Sequence, residues 1–102
     1  MRLTERQVTA IQLVADKFLQ NYPDAGLWLF GSRLNDEVRG GDVDFCLFLT
    51  ENNIEKRAKL KRQLRPALEE AVDISTDLII QDLDSPLKAV ARKAQEEGVR
   101  LR

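Results

Sequence analysis

Three segments of the chain repeat apolar residues every three or four positions, which predicts amphipathic helices. The first follows Thr4-Glu5-Arg6-Gln7, the pattern of a helix capping box, and is expected to run until Pro23. The second is expected to begin at Ile54 behind an asparagine cap, and Pro66 is expected to kink or divide it. These two helices would each present one apolar face to a common core.

The third helix is expected to start at Pro86, with Ser85 as its cap and Leu87 on its buried face, and to end at Gly98. Four short apolar runs between and after the helices predict buried strands. They cover residues 27–30, 43–49, 77–80 and 99–101.

The resulting order is helix, strand, strand, helix, strand, helix, strand. It predicts an α/β (α+β) fold in which helices cover a small mixed sheet of about four strands. The polar stretch 33–41 ends in a double glycine and is predicted to be a loop. We expect a single domain, 1–102, because the chain has 102 residues and no linker or repeat.

The amino-acid composition limits the kinds of catalytic site that the chain can form. The sequence contains no histidine, which excludes histidine-based triads and a histidine general base. The formal net charge of −1 argues against a broad nucleic-acid surface. The single cysteine, the charged N-terminus and the lack of a long apolar run predict a cytoplasmic protein without a membrane span. Chemistry must then rest on carboxylates, hydroxyls, Lys or Arg, or an oxygen-ligated metal.

A pair of carboxylates stands out at the start of the second predicted strand. Asp42 and Asp44 would point to the same face, because side chains two apart on a strand do so. Such a pair repels itself unless a cation joins it, and oxygen ligands favour Mg²⁺ or Mn²⁺. Asp77 opens another strand and could complete the set, with Asp73 as a rival. The alternative reading is a group of solvated aspartates.

Two further features each allow two readings. Gly31-Ser32 ends a strand and could present N–H groups and a hydroxyl to phosphate, or could simply cap a helix. A basic cluster in the second helix could be a solvated face, or an electrostatic patch for an acidic partner or an RNA end. The cluster comprises Lys56, Arg57, Lys59, Lys61, Arg62 and Arg65.

Taken together, these segments carry a family resemblance. Leu29-Phe30-Gly31-Ser32-Arg33, then a loop, then Asp42-Val43-Asp44 resembles the minimal nucleotidyltransferases of the DNA polymerase beta superfamily. Asp77-Leu78-Ile79-Ile80 is similar in placement to the strand that bears their third carboxylate. The similarity covers roughly residues 27–101 and implies the polymerase-beta-like nucleotidyltransferase fold.

The resemblance also implies roles for individual residues. Asp42 and Asp44 would bind two Mg²⁺ ions, with Mn²⁺ as a substitute, and Asp77 would hold the catalytic metal and help to deprotonate the acceptor. The residues expected to contact or neutralise the phosphates are Gly31, Ser32, Arg33 and Arg39.

The implied reaction is transfer of a nucleoside monophosphate from ATP or another NTP to an acceptor hydroxyl. Minimal members are often paired with a small helical HEPN-type toxin, which the enzyme adenylylates and silences. The resemblance therefore predicts an antitoxin role, and a homo-oligomer stays open. The alternative is a catalytically idle subunit that binds a nucleotide or neutralises its partner by contact alone.

Overall fold

The computed structural model describes residues 3–31 and 42–102. The elements in these two parts of the chain follow the predicted order. They are helix α1 (Glu5–Phe18), strands β1 (Gly26–Phe30) and β2 (Val43–Leu49), helix α2 (Ile54–Val72), strand β3 (Thr76–Asp82), helix α3 (Ala89–Glu97) and strand β4 (Val99–Arg100). The predicted loop 33–41 lies outside the described residues.

The four strands form one mixed sheet in the order β3-β2-β1-β4. Strand β1 is antiparallel to both β2 and β4, whereas β2 and β3 are parallel. The C-terminal end of β1 therefore lies beside the N-terminal ends of β2 and β3. This end of the sheet carries most of the sequence-predicted site.

Helices cover both faces of the sheet, which confirms the layered α/β architecture. Helices α1 and α2 pack on the face that carries Val43, Phe45 and Leu78, all fully buried. Helix α3 packs on the other face through Ala91 and Ala94. Side chains alternate between the faces along each strand, so even-numbered residues of β2 lie on the α3 side.

Local signals placed most helix ends correctly. Thr4 and Gln7 form the predicted capping box, and Asn53 accepts a hydrogen bond from the Lys56 N–H at 3.1 Å. Helix α1 nevertheless ends at Phe18, before the turns that lead into β1. None of the helices in the described residues has the length and apolar character that a membrane span requires.

The predicted start of α3 was wrong, and one of the two outcomes predicted for Pro66 is excluded. Pro66 does not divide α2, which is one helix of 19 residues with the proline inside it, so a kink there stays a prediction. Helix α3 begins at Ala89, not at Pro86, and Lys88 caps it without a side-chain hydrogen bond. Ser85 instead donates to the Asp82 carboxylate at 3.0 Å, within the turn that follows β3.

The buried side chain of Gln81 explains the late start of α3. Its amide nitrogen donates to the Pro86 carbonyl at 3.1 Å, and its amide oxygen accepts from the Lys88 N–H at 2.9 Å. These bonds hold the segment after Ser85 in a non-helical conformation. Leu87 consequently lies outside the helix and is 38% exposed, rather than on a buried helical face.

The remaining apolar predictions concern the face under α3. Cys46 is fully buried and Phe30 is 4% exposed, which confirms both as core residues. Trp28 is half-buried and meets Phe48 edge to face, with ring centroids 6.4 Å apart. Burial raises the pKa of the Cys46 thiol to about 11, so this cysteine is a packing residue without thiolate character.

Candidate active site

Three strand ends bring the predicted carboxylates together. Asp42 directly precedes β2, and Asp44 is the second residue of that strand. The parallel register pairs Asp44 with Asp77 across β2 and β3. The antiparallel register places Phe30, the last residue of β1, opposite Asp44 on the other side. Asp44 is therefore at the centre of the group.

The group faces α3. Val43 and Phe45 point into the core under α1 and α2, so Asp44 between them points to the opposite face. Helix α3 contributes Lys93, whose positive charge acts on the Asp44 carboxylate. Sequence reasoning missed Lys93, because nothing local to α3 shows which face of the sheet the helix covers.

Asp44 carries an electrostatic cost in this position. Its pKa is raised, first by desolvation on burial and then by the negative charges of Asp77 and Asp42. Lys93 lowers the pKa but does not offset the other effects. A cation bound between the carboxylates would relieve the repulsion, so the all-oxygen donor set fits a hard divalent ion such as Mg²⁺.

Asp77 is turned away from its neighbour. Its Oδ1 accepts a hydrogen bond from the Leu78 N–H at 3.0 Å. That N–H points away from β2, because the Val43 N–H pairs with the carbonyl of Ser75 and odd-numbered residues of β3 therefore face β2. The hydrogen bond occupies Oδ1 only, so Oδ2 of Asp77 stays available to a ligand.

The described residues form no all-protein metal cage. Within residues 3–31 and 42–102, no three acidic, cysteine or histidine side chains converge closely enough to hold a metal ion. Mg²⁺ is usually bound by one or two carboxylates, together with substrate phosphates and water, rather than by an all-protein cage. The arrangement is therefore suited to an ion that arrives with a phosphate ligand.

Gly31 closes the group from the side of β1. Its φ is +88°, a region that side chains rarely adopt, and a Cβ at this position would overlap the Asp44 carboxylate. The glycine is required twice, by its backbone conformation and by the closeness of Asp44. Its predicted role in phosphate contact stays a prediction.

The other predicted residues comprise three that lie outside the described part of the chain and one rival carboxylate. Ser32, Arg33 and Arg39 lie outside the described residues, so their roles stay predictions. The rival carboxylate, Asp73, caps the C-terminus of α2 with a left-handed φ of 57° and lies outside β3. Its side chain is exposed, and the strand register favours Asp77 as the partner of Asp44.

The sequence profile of the nucleotidyltransferase domain family matches residues 11–101. The chain belongs to this family. The match spans β1, β2 and β3 and thus includes all three carboxylates. The resemblance drawn from the Gly-Ser and Asp-x-Asp segments is confirmed at the level of the family. No curated protein is significantly similar to the chain in sequence.

Two solved structures from Shewanella oneidensis share the fold. One is a tri-AMPylated HEPN toxin in complex with MNT antitoxin. The aligned chain is 24% identical to this chain with a TM-score of 0.51, and the alignment covers 90% of this chain and 71% of the other. The other has 21% identity and a TM-score of 0.54, over 90% and 69% of the two chains. At these identities the likeness shows the nucleotidyltransferase fold alone.

Proposed function

We propose that this chain is a Mg²⁺-dependent nucleotidyltransferase that moves AMP from ATP to a hydroxyl group of a HEPN-type partner protein, and thereby silences that partner as an antitoxin. The observation that carries the proposal is the packing around Asp44, which lies opposite Asp77, two residues from Asp42 and against Gly31. Family membership supports nucleotidyl transfer as the reaction class.

The carboxylates would divide the chemical work. Asp42, Asp44 and Asp77 would hold Mg²⁺, which when bound neutralises charge on the triphosphate. Asp77 would accept the proton of the attacking hydroxyl, whose oxygen forms a bond to the α-phosphorus while the bond to pyrophosphate breaks. Lys93 would lie near enough to add positive charge as pyrophosphate departs. Positioning and charge neutralisation supply the catalysis.

The acceptor proposal draws on one structural relative. That complex contains a HEPN toxin that carries three AMP groups beside an MNT antitoxin. Docking of a partner would supply a high effective concentration of one hydroxyl, so few contacts would be needed in the site itself. A protein hydroxyl is therefore favoured here over a free small molecule or a nucleic acid.

The direct test is incubation with labelled ATP, Mg²⁺ and a HEPN-type protein from the same genome, sought first among the products of adjacent genes. We expect the wild-type chain to label that protein, with mass spectrometry showing added AMP on Tyr, Ser or Thr. The double variant Asp42→Asn/Asp44→Asn should remain folded, because it removes like charges, and should lose both labelling and Mg²⁺-dependent ATP binding. Asp24→Asn/Asp84→Asn is the matched control, since both residues are exposed at the opposite end of the sheet.

The outcomes separate the alternatives. Equal Mg²⁺-dependent ATP binding by the site variant and the wild type, measured by calorimetry, would refute the metal site. If the partner stays unmodified and the site variant still inhibits it fully, the chain is an idle neutralising subunit. Label on RNA ends would replace the protein acceptor with a nucleic acid.

A further inference from the structure

Gln81 is a buried polar residue on the same face of the sheet as the candidate site. It is 1% exposed, lies near the end of β3 and pairs in register with Phe48 of β2. Phe48 belongs to the cluster that packs under α3, so the Gln81 side chain points to the face that carries Asp44 and Asp77. It lies four residues from Asp77 along β3, a distance of about 13 Å. The amide is therefore too far from the carboxylates to touch a ligand bound there.

The Gln81 amide binds the backbone that leads into α3. Its nitrogen donates to the carbonyls of Asp82 at 2.8 Å and Pro86 at 3.1 Å, and its oxygen accepts from the Lys88 N–H at 2.9 Å. The exposed ammonium group of Lys88 adds a longer bond, 3.3 Å, to the Ile80 carbonyl. Lys88 is the cap residue of α3 and makes no side-chain cap bond of its own. The start of the helix is thus held by β3 rather than by a local cap.

The two ends of α3 are anchored in different ways. The buried residues of the helix are Ala91 and Ala94, whose single methyl groups bury little surface and interlock weakly with the sheet. At the C-terminal end, a Cβ on Gly98 would lie 2.6 Å from the Leu29 carbonyl oxygen, so the backbone there lies directly against β1. The helix is therefore held by Gly98 at the site end of the sheet and by Gln81 at the other end.

Lys93 lies midway between these two anchored ends. It is five residues from Lys88 and five from Gly98. It directly precedes the buried Ala94, and from this position its positive charge lowers the pKa of Asp44. The orientation of α3 therefore determines how far Lys93 lies from the central carboxylate of the candidate site.

Release of the N-terminal end would move the helix by several ångströms. The cap residue Lys88 is extended, with φ −67° and ψ 151°. Three extended residues span about 10 Å, whereas three helical residues span about 4.5 Å. If the helix began at Ser85-Pro86, as the local sequence favours, its N-terminal end would move by about 5 Å and Lys93 by about half of that. A misplacement of about 1 Å can lower a rate by roughly 10²-fold.

We propose that Gln81 is a positioning residue of the candidate active site, which holds the N-terminal end of α3 on β3 and thereby keeps Lys93 where it can neutralise charge on the triphosphate of ATP. The inference rests on the proposed function for the task of Lys93. The hold of Gln81 on α3 rests on the hydrogen bonds alone.

A double-mutant cycle distinguishes positioning from a purely structural role. Calorimetry would measure the Kd for ATP in the presence of Mg²⁺ for the wild type, Gln81→Met, Lys93→Met and the double variant. We expect each single substitution to weaken binding by roughly tenfold, and Gln81→Met to add less than about twofold when Lys93 is already absent. Independent effects that multiply would make Gln81 a structural residue and overturn the inference. If Gln81→Met does not fold, Gln81→Asn takes its place, because its shorter side chain cannot reach both Pro86 and Lys88.

Two control variants account for lost stability. Ile11→Val removes a methyl group from the core on the opposite face of the sheet, and should lower Tm without changing the Kd. Gln95→Met makes the same exchange at an exposed position of α3 and should change neither quantity. Hydrogen exchange gives a readout that needs no ATP, because the Arg92 N–H donates to the Lys88 carbonyl at 3.0 Å in the first turn of the helix. Exchange at Arg92 should be faster in Gln81→Met than in either control, and equal rates would overturn the inference.

A second substitution should restore the position of the helix. Lys88→Pro fixes φ near −65°, close to the value of −67° in the structure, and deletes the N–H that Gln81→Met leaves unpaired. The proline also disfavours a helical conformation at Leu87, so α3 cannot begin earlier. We expect Gln81→Met/Lys88→Pro to recover most of the ATP affinity that Gln81→Met loses. No recovery would show that Gln81 does not act through the start of α3, and would overturn the inference.

These outcomes are separable from those of the proposed function, because ATP binding needs no partner protein. Coupled effects of Gln81→Met and Lys93→Met in a chain that labels no HEPN-type protein would leave the positioning role standing while the proposed acceptor fails. Independent effects in a chain that does label its partner would overturn the positioning role and leave the proposed function standing.

Discussion

Replacing Gly31 with alanine inserts one methyl group between the end of β1 and the carboxylate of Asp44. The change is small in volume, but the structure gives two independent reasons for it to be costly. Gly31 has a φ of +88°, and its Cβ would overlap the Asp44 carboxylate. The overlap concerns the candidate site directly, because it brings the backbone after β1 against Asp44, the central residue of the site.

The size of the effect follows from these two contributions. A left-handed backbone conformation costs an L-residue about 1–2 kcal/mol. Forcing an extra methyl group into a packed position costs about 1–3 kcal/mol. We therefore expect Gly31→Ala to lower the free energy of unfolding by about 2–5 kcal/mol. If the Asp44 side chain rotates away to relieve the overlap, part of that cost will appear instead as weaker Mg²⁺-dependent ATP binding.

A double-mutant cycle with Asp44→Ala separates the two contributions. Removing the carboxylate leaves the backbone strain of Gly31→Ala but abolishes the overlap, so the second substitution should cost about 1–3 kcal/mol less in that background. Urea unfolding of the wild type and the three variants measures the coupling. If the two substitutions are additive, the contact between Gly31 and Asp44 does not constrain the site, and our account of the glycine is wrong.

Three other substitutions test two separate parts of the structure. Asp77→Asn should lower turnover by roughly 10²-fold, as loss of a general base does, with little change in ATP affinity. Asp73→Asn should leave turnover unchanged, because asparagine tolerates the left-handed conformation at the end of α2. The reverse result would make Asp73 the base. The Tyr22 hydroxyl donates to Glu51 at 2.6 Å, a bond that raises the pKa of Tyr22 and lowers the pKa of Glu51. Its stabilisation is thus lost as pH rises above the unfolded tyrosine value of about 10 or falls below the unfolded glutamate value of about 4.3. The difference in Tm between wild type and Tyr22→Phe should be largest near neutral pH and shrink at both extremes, and a difference independent of pH would exclude this linkage.

The strands could be predicted from sequence because their signal is local and strong. Residues 43–49 are apolar at every position except Asp44, and the structure has β2 over Val43–Leu49. The start of α3 could not be predicted in the same way. Ser85-Pro86 is a good local start signal, but the buried amide of Gln81 binds the backbone on both sides of Leu87 and prevails over it. A competing hydrogen bond of this kind depends on burial, which local sequence does not report.

Part of the candidate site could be predicted from the sequence, and part could not. The pairing of Asp44 with Asp77 follows from two carboxylates that open adjacent parallel strands. The contact of Gly31 with Asp44 depends on the antiparallel register of β1 and β2, which places Phe30 opposite Asp44. Lys93 required knowledge of which face α3 covers. The contact of Gly31 with Asp44 and the placement of Lys93 both follow from how the strands and helices are arranged in space. No spacing of residues along the chain encodes that arrangement.

Unfavourable charge is concentrated where β2 and β3 begin. Asp44 is half-buried there, and desolvation together with the negative charges of Asp77 and Asp42 raises its pKa. A neutral residue at this position would pack without that repulsion, so the stability of the fold does not account for the charge. A metal ion bound at Asp44 would relieve the repulsion. Because a ligand that binds only the native state stabilises it, the electrostatic cost would then become binding energy for the ion.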